Sequence, residues 1–164
     1  MRDQLMGEHL IWLADSIYKE EKIIVWAHNA HISKAYSQIP GLSEERKFKR
    51  QGEWFNQVLG DEAYTLGVYG FEGRAWAFFM QKEYDFRTPK PNSLEDQMKN
   101  LGHETTWLHI GEYDKSDTTF HWLYDSIPSF EWGRNEQIII PKEHYDGILF
   151  INKISPPTPM FPIQ

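Results

Sequence analysis

Cysteine is absent from the 164-residue chain. This absence excludes disulfide bonds, thiolate metal sites and a cysteine nucleophile, and it fits a reducing compartment. The sequence also has no apolar run near the roughly 20 residues that a membrane-spanning helix needs. Basic residues are fewer than acidic ones, 17 against 24, and the formal net charge is −7. Because such a chain has no general attraction to nucleic acids or anionic lipids, we expect neither as a partner.

The N-terminus carries no sign of a signal peptide. Met1-Arg2-Asp3-Gln4 is not followed by an apolar stretch behind a basic start. On this ground we expect a cytoplasmic protein. The length predicts a single domain with one core, and the sequence shows no internal repeat and no linker that would divide it.

The pattern of apolar residues predicts helices and short buried strands. Apolar side chains from Met6 to Ile17 recur at helical spacing within residues 2–20. Residues 23–27 form a continuous apolar run rich in β-branched side chains, which favours a strand buried on both faces, as in a parallel sheet. A helix followed by such a strand is half of a βαβ unit, so we expect an α/β fold with a mostly parallel sheet flanked by helices.

Further elements are predicted along the rest of the chain. One helix is expected at residues 53–59, and another begins at Ser93 and ends at Gly102. The strongly charged residues 43–51 are expected on the surface, and residues 111–137 are expected to be rich in loops. Additional strands are expected at residues 63–69, 76–80, 105–110, 138–140 and 147–151.

Two histidines, His28 and His31, follow the predicted strand at residues 23–27. Ligands of open α/β sheets bind at the carboxyl ends of strands, so two imidazoles there can converge on one substrate. One could carry a proton while the other donates a hydrogen bond to a developing oxyanion. The spacing fits equally well a histidine that caps the next helix. A metal site with Asp3 or Glu72 as third ligand is a further alternative.

Other familiar catalytic motifs are absent from the sequence. No Gly-x-Ser-x-Gly elbow supports a serine hydrolase. There is no phosphate-binding loop, and the spacing of Gly67, Gly70 and Gly73 does not fit a dinucleotide fingerprint.

Five blocks of the sequence, in order, resemble the erythromycin esterase-like family. Residues 2–13 resemble the family's Arg-Asp-x-x-Met-Ala-x-Asn-Leu-x-Trp-Leu signature, and residues 23–32 resemble its Val-x-x-His-Asn-x-His-Ile block. The other blocks are residues 59–73, the helix that begins at Ser93, and residues 145–159. The resemblance covers almost the whole chain, although only the His-Asn-x-His block is distinctive by itself.

Two residues of the opening helix depart from the family pattern. Gly7 stands where the family has alanine, a change that weakens a helix by about 1 kcal/mol. His9 stands where the family has asparagine, which puts the polar contact of that position in doubt.

The resemblance implies a hydrolase that adds water to an ester or to a macrolide lactone. It implies a histidine that activates the water, with no required metal or other cofactor. His28 and His31 would position the substrate carbonyl and steady the oxyanion, and Arg2 would hold a carboxylate or the oxyanion with its planar guanidinium. The candidate substrate-binding residues are Asn29, Asp3 and Glu72.

The water-activating histidine of the family belongs to an earlier Gly-Glu-x-x-His motif that this sequence does not contain. Gly7-Glu8 and Gly111-Glu112 are not followed by histidine at the required position. The resemblance therefore implies that residues 1–164 are the C-terminal portion of a larger domain and carry the second half of its active site. A non-catalytic remnant or binding domain is the alternative, as is a metal-dependent hydrolase. Since a half-domain exposes sheet edges and apolar surface, we expect self-association or an N-terminal partner half.

Overall fold

The computed structural model describes residues 2–77 and 81–157. They form an α/β arrangement of one four-stranded sheet with flanking helices and a separate two-stranded hairpin. The helices are α1 (Arg2–Trp12), α2 (Asn29–Ile32), α3 (Gln51–Leu59), α4 (Leu94–Lys99) and α5 (Pro141–His144). The strands are β1 (Leu66–Ala77), β2 (Lys82–Asp85), β3 (Thr105–His109), β4 (Ile127–Glu131), β5 (Asn135–Ile139) and β6 (Gly147–Ile154). The predicted α/β class is confirmed.

The four-stranded sheet has the order β2-β1-β6-β3. Its central pair, β1 and β6, is parallel and places Leu66 opposite Gly147. The outer strands β2 and β3 are antiparallel to their neighbours, so the sheet is mixed. The apolar run of β6 suits a central strand, because Ile148 and Phe150 are fully buried.

The long strand β1 replaces two strands that the sequence predicted. Strands were predicted at residues 63–69 and 76–80, but β1 runs without a break through the residues between them. Residues 78–80 lie outside the described residues. Gly73 lies within this strand with a φ of +121°, and a Cβ there would overlap the carbonyl oxygen of Ile154. This glycine therefore permits a close approach of β6 and does not end the strand.

The prediction of a buried strand at residues 23–27 is wrong in this structure. The segment follows a π-helical turn, Leu13–Ile17, and its backbone makes no hydrogen bond within residues 2–77 and 81–157. Ile24 is 89% exposed and Trp26 is 94% exposed. A strand buried on both faces needs a hydrogen-bonded neighbour and a covering layer, and the described residues supply neither.

Helix α1 packs closely on α3 at Gly7. A Cβ at Gly7 would lie 2.7 Å from the Cβ of Trp54 and 3.2 Å from the carbonyl oxygen of Gln51. The departure from the family's alanine thus coincides with a tight helix contact, which offsets the loss of intrinsic helix stability.

The core lies between the sheet, α4 and the hairpin β4–β5. The expected loop-rich segment 111–137 contains short 3₁₀ turns and also β4, a strand that sequence analysis missed. The edge strand expected at residues 138–140 corresponds to β5. Within the described part of the chain, no helix is both long enough and apolar enough to cross a membrane. The buried apolar residues are Tyr36, Ile39, Tyr69, Leu94, Met98, Leu108, Ile110, Trp122, Leu123, Ile127, Ile139, Tyr145, Ile148 and Phe150.

Candidate functional site

The short helix α2 carries both candidate histidines and is fixed to the sheet by side chains. His28 is its N-cap, and its Nδ1 accepts a hydrogen bond from the backbone N–H of Ala30 at 3.2 Å. The Asn29 amide donates to the carbonyl oxygen of Val68 at 2.8 Å and accepts from the Val68 N–H at 3.0 Å. Both polar groups of Asn29, a predicted substrate-binding residue, therefore bind the backbone of β1 at Val68 and position α2.

The C-terminal end of α2 is held by α5. The Ser33 hydroxyl lies 2.7 Å from Nδ1 of His144, and both side chains are buried. The backbone N–H of Lys34 donates to the carbonyl oxygen of His144 at 3.1 Å. Contacts at both ends thus fix the helix that presents the two imidazoles.

His31 lies between Asp3 and Arg2. Its Nδ1 is 2.5 Å from Oδ1 of Asp3, and because a carboxylate only accepts, the proton of this bond belongs to Nδ1. Nε2 of His31 is then an acceptor, and the Arg2 guanidinium donates to it at 3.4 Å. Three residues that the sequence analysis named separately form one hydrogen-bonded chain.

Asp3 is a buried carboxylate, 3% exposed, and faces other protein groups. Its Oδ2 lies 3.6 Å from Arg50 and 3.9 Å from Arg2. Burial alone would raise the pKa of Asp3, but the hydrogen bond from His31 and the charges of Arg50 and Arg2 outweigh it and lower that pKa. Asp3 was predicted to bind substrate, and the structure places it where it orients His31.

The His28 ring is neutral at pH 7 and presents a free N–H. Desolvation lowers its pKa to about 4, opposed by the charge of Glu131 and assisted by the proximity of His31. The residue is exposed, so solvent screening keeps the energetic weight of this shift small. Because Nδ1 accepts the capping hydrogen bond, the proton belongs to Nε2, which makes no hydrogen bond with another described residue.

The tip of the β4–β5 hairpin borders His28. The Trp132 ring meets the His28 ring edge-on, with 5.1 Å between centroids, and Trp132 is 51% exposed. Its φ of +57° is unusual for a bulky residue, and its carbonyl oxygen accepts a hydrogen bond from the Tyr84 hydroxyl at 3.1 Å. The hairpin thus holds an aromatic surface beside His28 at the expense of backbone strain.

A second buried carboxylate, Glu131, supports this hairpin. It accepts hydrogen bonds from Arg46 at 3.0 Å and from the Tyr36 hydroxyl at 3.3 Å, and Arg46 also donates to Tyr36. The Arg50 guanidinium lies 4.8 Å above the Tyr36 ring. Placing all of residues 43–51 on the surface was therefore wrong, since the side chain of Arg50 is only 13% exposed.

Sequence analysis missed Glu131, Trp132, Tyr36, Arg46 and Arg50. The hairpin residues lie in a segment with no strand pattern, about 100 positions from His28 in the chain. The two arginines stand in a run of charges that looks like solvated surface. An arginine next to an aromatic residue in that run, as in Phe48-Lys49-Arg50, was the available sign of inward packing.

Glu72, a predicted substrate-binding residue, lies apart from this group. It is four positions beyond Val68 on β1, roughly 13 Å along the strand. It lines a separate cavity with Arg74 and Phe86. Among residues 2–77 and 81–157, no group of three or more histidine, aspartate or glutamate side chains is arranged to hold a metal ion. The alternative with Asp3 or Glu72 as third metal ligand therefore finds no ligand set there.

Gly52 allows α3 to meet the end of α2, and its substitution is a test of this contact. A Cβ at Gly52 would overlap the carbonyl group of Ile32 and lie 2.6 Å from the carbonyl oxygen of Ser33. Gly52→Ala should lower the free energy of unfolding by about 1–3 kcal/mol, measured by urea denaturation. Gln57→Ala, at an exposed position of α3, should change it by less than about 0.5 kcal/mol. Equal stability of the two variants would contradict the contact.

Known proteins resemble this chain over most of its length. The family model for erythromycin esterase matches residues 1–154. A putative hydrolase of Bacillus subtilis (strain 168), YbfO, is 29% identical over 158 residues, which are 95% of this chain and 35% of YbfO. Erythromycin esterase type II of Escherichia coli is 26% identical over 166 residues, covering 94% of this chain and 37% of that protein. The chain spans little more than a third of the length of these relatives.

Two crystal structures share the fold. One, of a Bacillus cereus protein, has a TM-score of 0.74 at 19% identity over 93% of this chain. The other, of a succinoglycan biosynthesis protein, has a TM-score of 0.72 at 20% identity over 93% of this chain. Each match covers 38% of the solved chain. Because the family model matches residues 1–154, the chain belongs to the erythromycin esterase family.

Proposed function

We propose that this protein takes part in carboxylic ester hydrolysis of the erythromycin esterase type, adding water to an ester or lactone. Residues 1–164 would be the C-terminal portion of the catalytic domain and supply the oxyanion side of its active site. One observation carries this proposal: the same short helix presents His28, whose Nε2–H no other described residue binds, and His31, which joins Asp3 and Arg2 in one chain of hydrogen bonds.

These side chains suit the stabilisation of a tetrahedral intermediate. A base outside this chain takes a proton from water, and the hydroxide oxygen bonds to the ester carbonyl carbon. The carbonyl oxygen becomes an oxyanion, to which His28 Nε2–H and the Arg2 guanidinium donate. The bond to the alkoxide then breaks, and the alkoxide takes the proton from the base. His31, held by Asp3, fixes the guanidinium of Arg2 in this geometry.

Trp132 gives this site an apolar wall. Its exposed ring stands next to His28, so the acyl or alcohol portion of the ester would lie against it. The strained backbone of Trp132 supports this role, because strain of this kind gathers at functional sites. An ester with a sizeable apolar portion is therefore the substrate class that the site favours.

A non-catalytic role is the second candidate. The absence of a Gly-Glu-x-x-His motif from residues 1–164 is the observation that favours it. In that case the residues around His28 would be a remnant of an active site or a binding surface.

The two candidates differ in an assay of ester hydrolysis. The chain is purified alone, and also after co-expression with the part of YbfO that lies outside the match. Both samples are assayed with erythromycin and with a panel of p-nitrophenyl esters. We expect the chain alone to be at least about a hundredfold slower than the co-expressed pair, because general base catalysis contributes about 10²–10⁴ in rate. Fast turnover by the chain alone would refute the proposed division of the site, and an inactive pair would favour the non-catalytic candidate.

A further inference from the structure

One stretch of the chain is unusually rich in exposed apolar side chains. Fifteen large apolar residues are exposed among the described residues, and nine of them lie between positions 5 and 26. We call this the residue 5–26 surface. Its most exposed members are Leu5 at 58%, Ile17 at 53%, Ile24 at 89% and Trp26 at 94%. Exposed apolar side chains concentrated in one stretch in this way are typical of an interaction site.

The backbone of this surface has the character of an unpaired strand. Residues 23–27 are neither helix nor strand, and their N–H and C=O groups make no hydrogen bond within residues 2–77 and 81–157. Ile24 and Trp26 are almost fully exposed, while Ile23 and Val25 are each 38% exposed, so exposure alternates as the side chains of a strand do. Both faces are apolar, which is the composition of a strand with a neighbour at its edge and a layer above it.

We infer that the residue 5–26 surface is the docking site for the rest of an erythromycin esterase domain, which adds a β-strand to residues 23–27 and covers Ile24 and Trp26. This inference rests on the proposed function for the identity of the partner. The chain spans 35% of YbfO and 38% of two crystal structures with the same fold, so nearly two-thirds of each of those proteins lies outside the match. An unpaired strand with two apolar faces calls for a body that offers both a strand and a covering layer.

A second copy of this chain fits the surface less well. Two copies would each bring a formal net charge of −7, and like charge opposes their association. A larger partner also accounts for the extent of the surface, which runs from α1 through the π-helical turn to residue 26.

The docking strand leads directly into the site. Residue 27 is followed by His28, whose free Nε2–H is the proposed oxyanion donor. A strand added beside residues 23–27 therefore ends near His28. Docking at this surface brings groups of the partner to the side of the site that the described residues leave open.

Co-purification tests the docking strand without any assay of hydrolysis. An affinity-tagged form of the full chain is co-expressed with the part of YbfO outside the match, and the recovered YbfO part is quantified per tagged chain. We expect a 1:1 complex. Val25→Pro removes one strand N–H while remaining compatible with an extended backbone, and should reduce recovery at least about tenfold. Trp26→Lys should do the same, because it places a charge under the covering layer.

The controls separate docking from folding and from general stickiness. Trp107→Lys changes a tryptophan that is 67% exposed on the edge strand β3, and recovery should change less than about twofold. Circular dichroism and urea unfolding of the tagged chain alone should be the same for Val25→Pro and the original sequence. Lack of a complex, a homodimer that buries this surface, or a complex unaffected by Val25→Pro would overturn the inference. A complex that forms and hydrolyses no ester would uphold the docking and count against the proposed function.

Discussion

Replacing His28 with asparagine should lower the kcat of the co-expressed pair about a hundred- to thousandfold, the usual effect of removing one oxyanion donor. The imidazole Nε2–H is the proposed donor, and an asparagine amide is too short to reach the same point. Asparagine is also a good N-cap, so it should keep the hydrogen bond to the Ala30 N–H and leave α2 intact. Since the pKa of His28 is about 4, the wild-type donor stays in its neutral form above about pH 5.

Kinetic measurements on purified pairs decide this prediction. The kcat and KM of His28→Asn are compared with those of His121→Asn, which changes a histidine whose side chain is 58% exposed on a 3₁₀ turn. His121→Asn should keep full activity. A pair carrying His28→Asn with unchanged kcat would remove His28 from the reaction. Urea unfolding of the isolated variant should match the original chain, which shows that a loss of rate is chemical and not structural.

Replacing Glu95 with glutamine should remove a pH dependence of stability worth about 3 kcal/mol. Glu95 is 1% exposed, its Oε1 accepts a hydrogen bond from the Phe130 N–H at 2.8 Å, and its Oε2 has no partner among the described residues. Burial raises the pKa of Glu95 from 4.5 to about 7, against the opposing effect of the hydrogen bond from the Phe130 N–H.

The direction of the effect follows from proton binding. Between pH 4.5 and about 7 the unfolded chain has released the Glu95 proton while the folded chain still holds it. The folded state binds more protons in this window, so its stability falls as the pH rises and becomes level above about pH 7. Glutamine does not titrate, and the difference in free energy of unfolding between Glu95→Gln and the original should therefore shift by about 3 kcal/mol across the window.

Urea unfolding at a series of pH values measures this difference. The comparison at each pH cancels the contribution of other groups, such as His144, whose pKa burial lowers to about 4 and which destabilises the fold as the pH falls below about 6.5. Glu143→Gln, at an exposed position of α5, should show a shift below about 0.5 kcal/mol. If the difference in free energy of unfolding between Glu95→Gln and the original chain did not change with pH, the Glu95 carboxyl would be ionised in the folded protein across this window.

The elements predicted best from sequence are those whose neighbours lie within this chain. The apolar run at residues 147–151 forms β6, because β1 and β3 pair with it on both sides. The run at residues 23–27 is also continuously apolar, yet it forms no strand here. Apolar composition predicts the environment that a segment requires, and only the rest of the fold supplies that environment.

The candidate site shows a similar division. The His-Asn-x-His block was visible in the sequence. The hydrogen-bonded chain from Asp3 through His31 to Arg2 joins the start of α1 to α2. The different orientations of the two imidazoles could not be predicted, because each depends on its hydrogen-bond partner at Nδ1. Asn29 was expected to bind substrate, because nothing in the neighbouring sequence shows that its amide pairs with the backbone of β1 at Val68.

The anchors of α2 have a consequence for the order in which the protein folds. Asn29 is tied to a strand residue 39 positions later, and Ser33 to a histidine 111 positions later. A helix of four residues has almost no stability of its own, so it depends on these distant partners. The two imidazoles therefore reach their arrangement only after β1 and α5 have assembled, and a nascent chain that ends before residue 144 would carry the sequence block without the geometry.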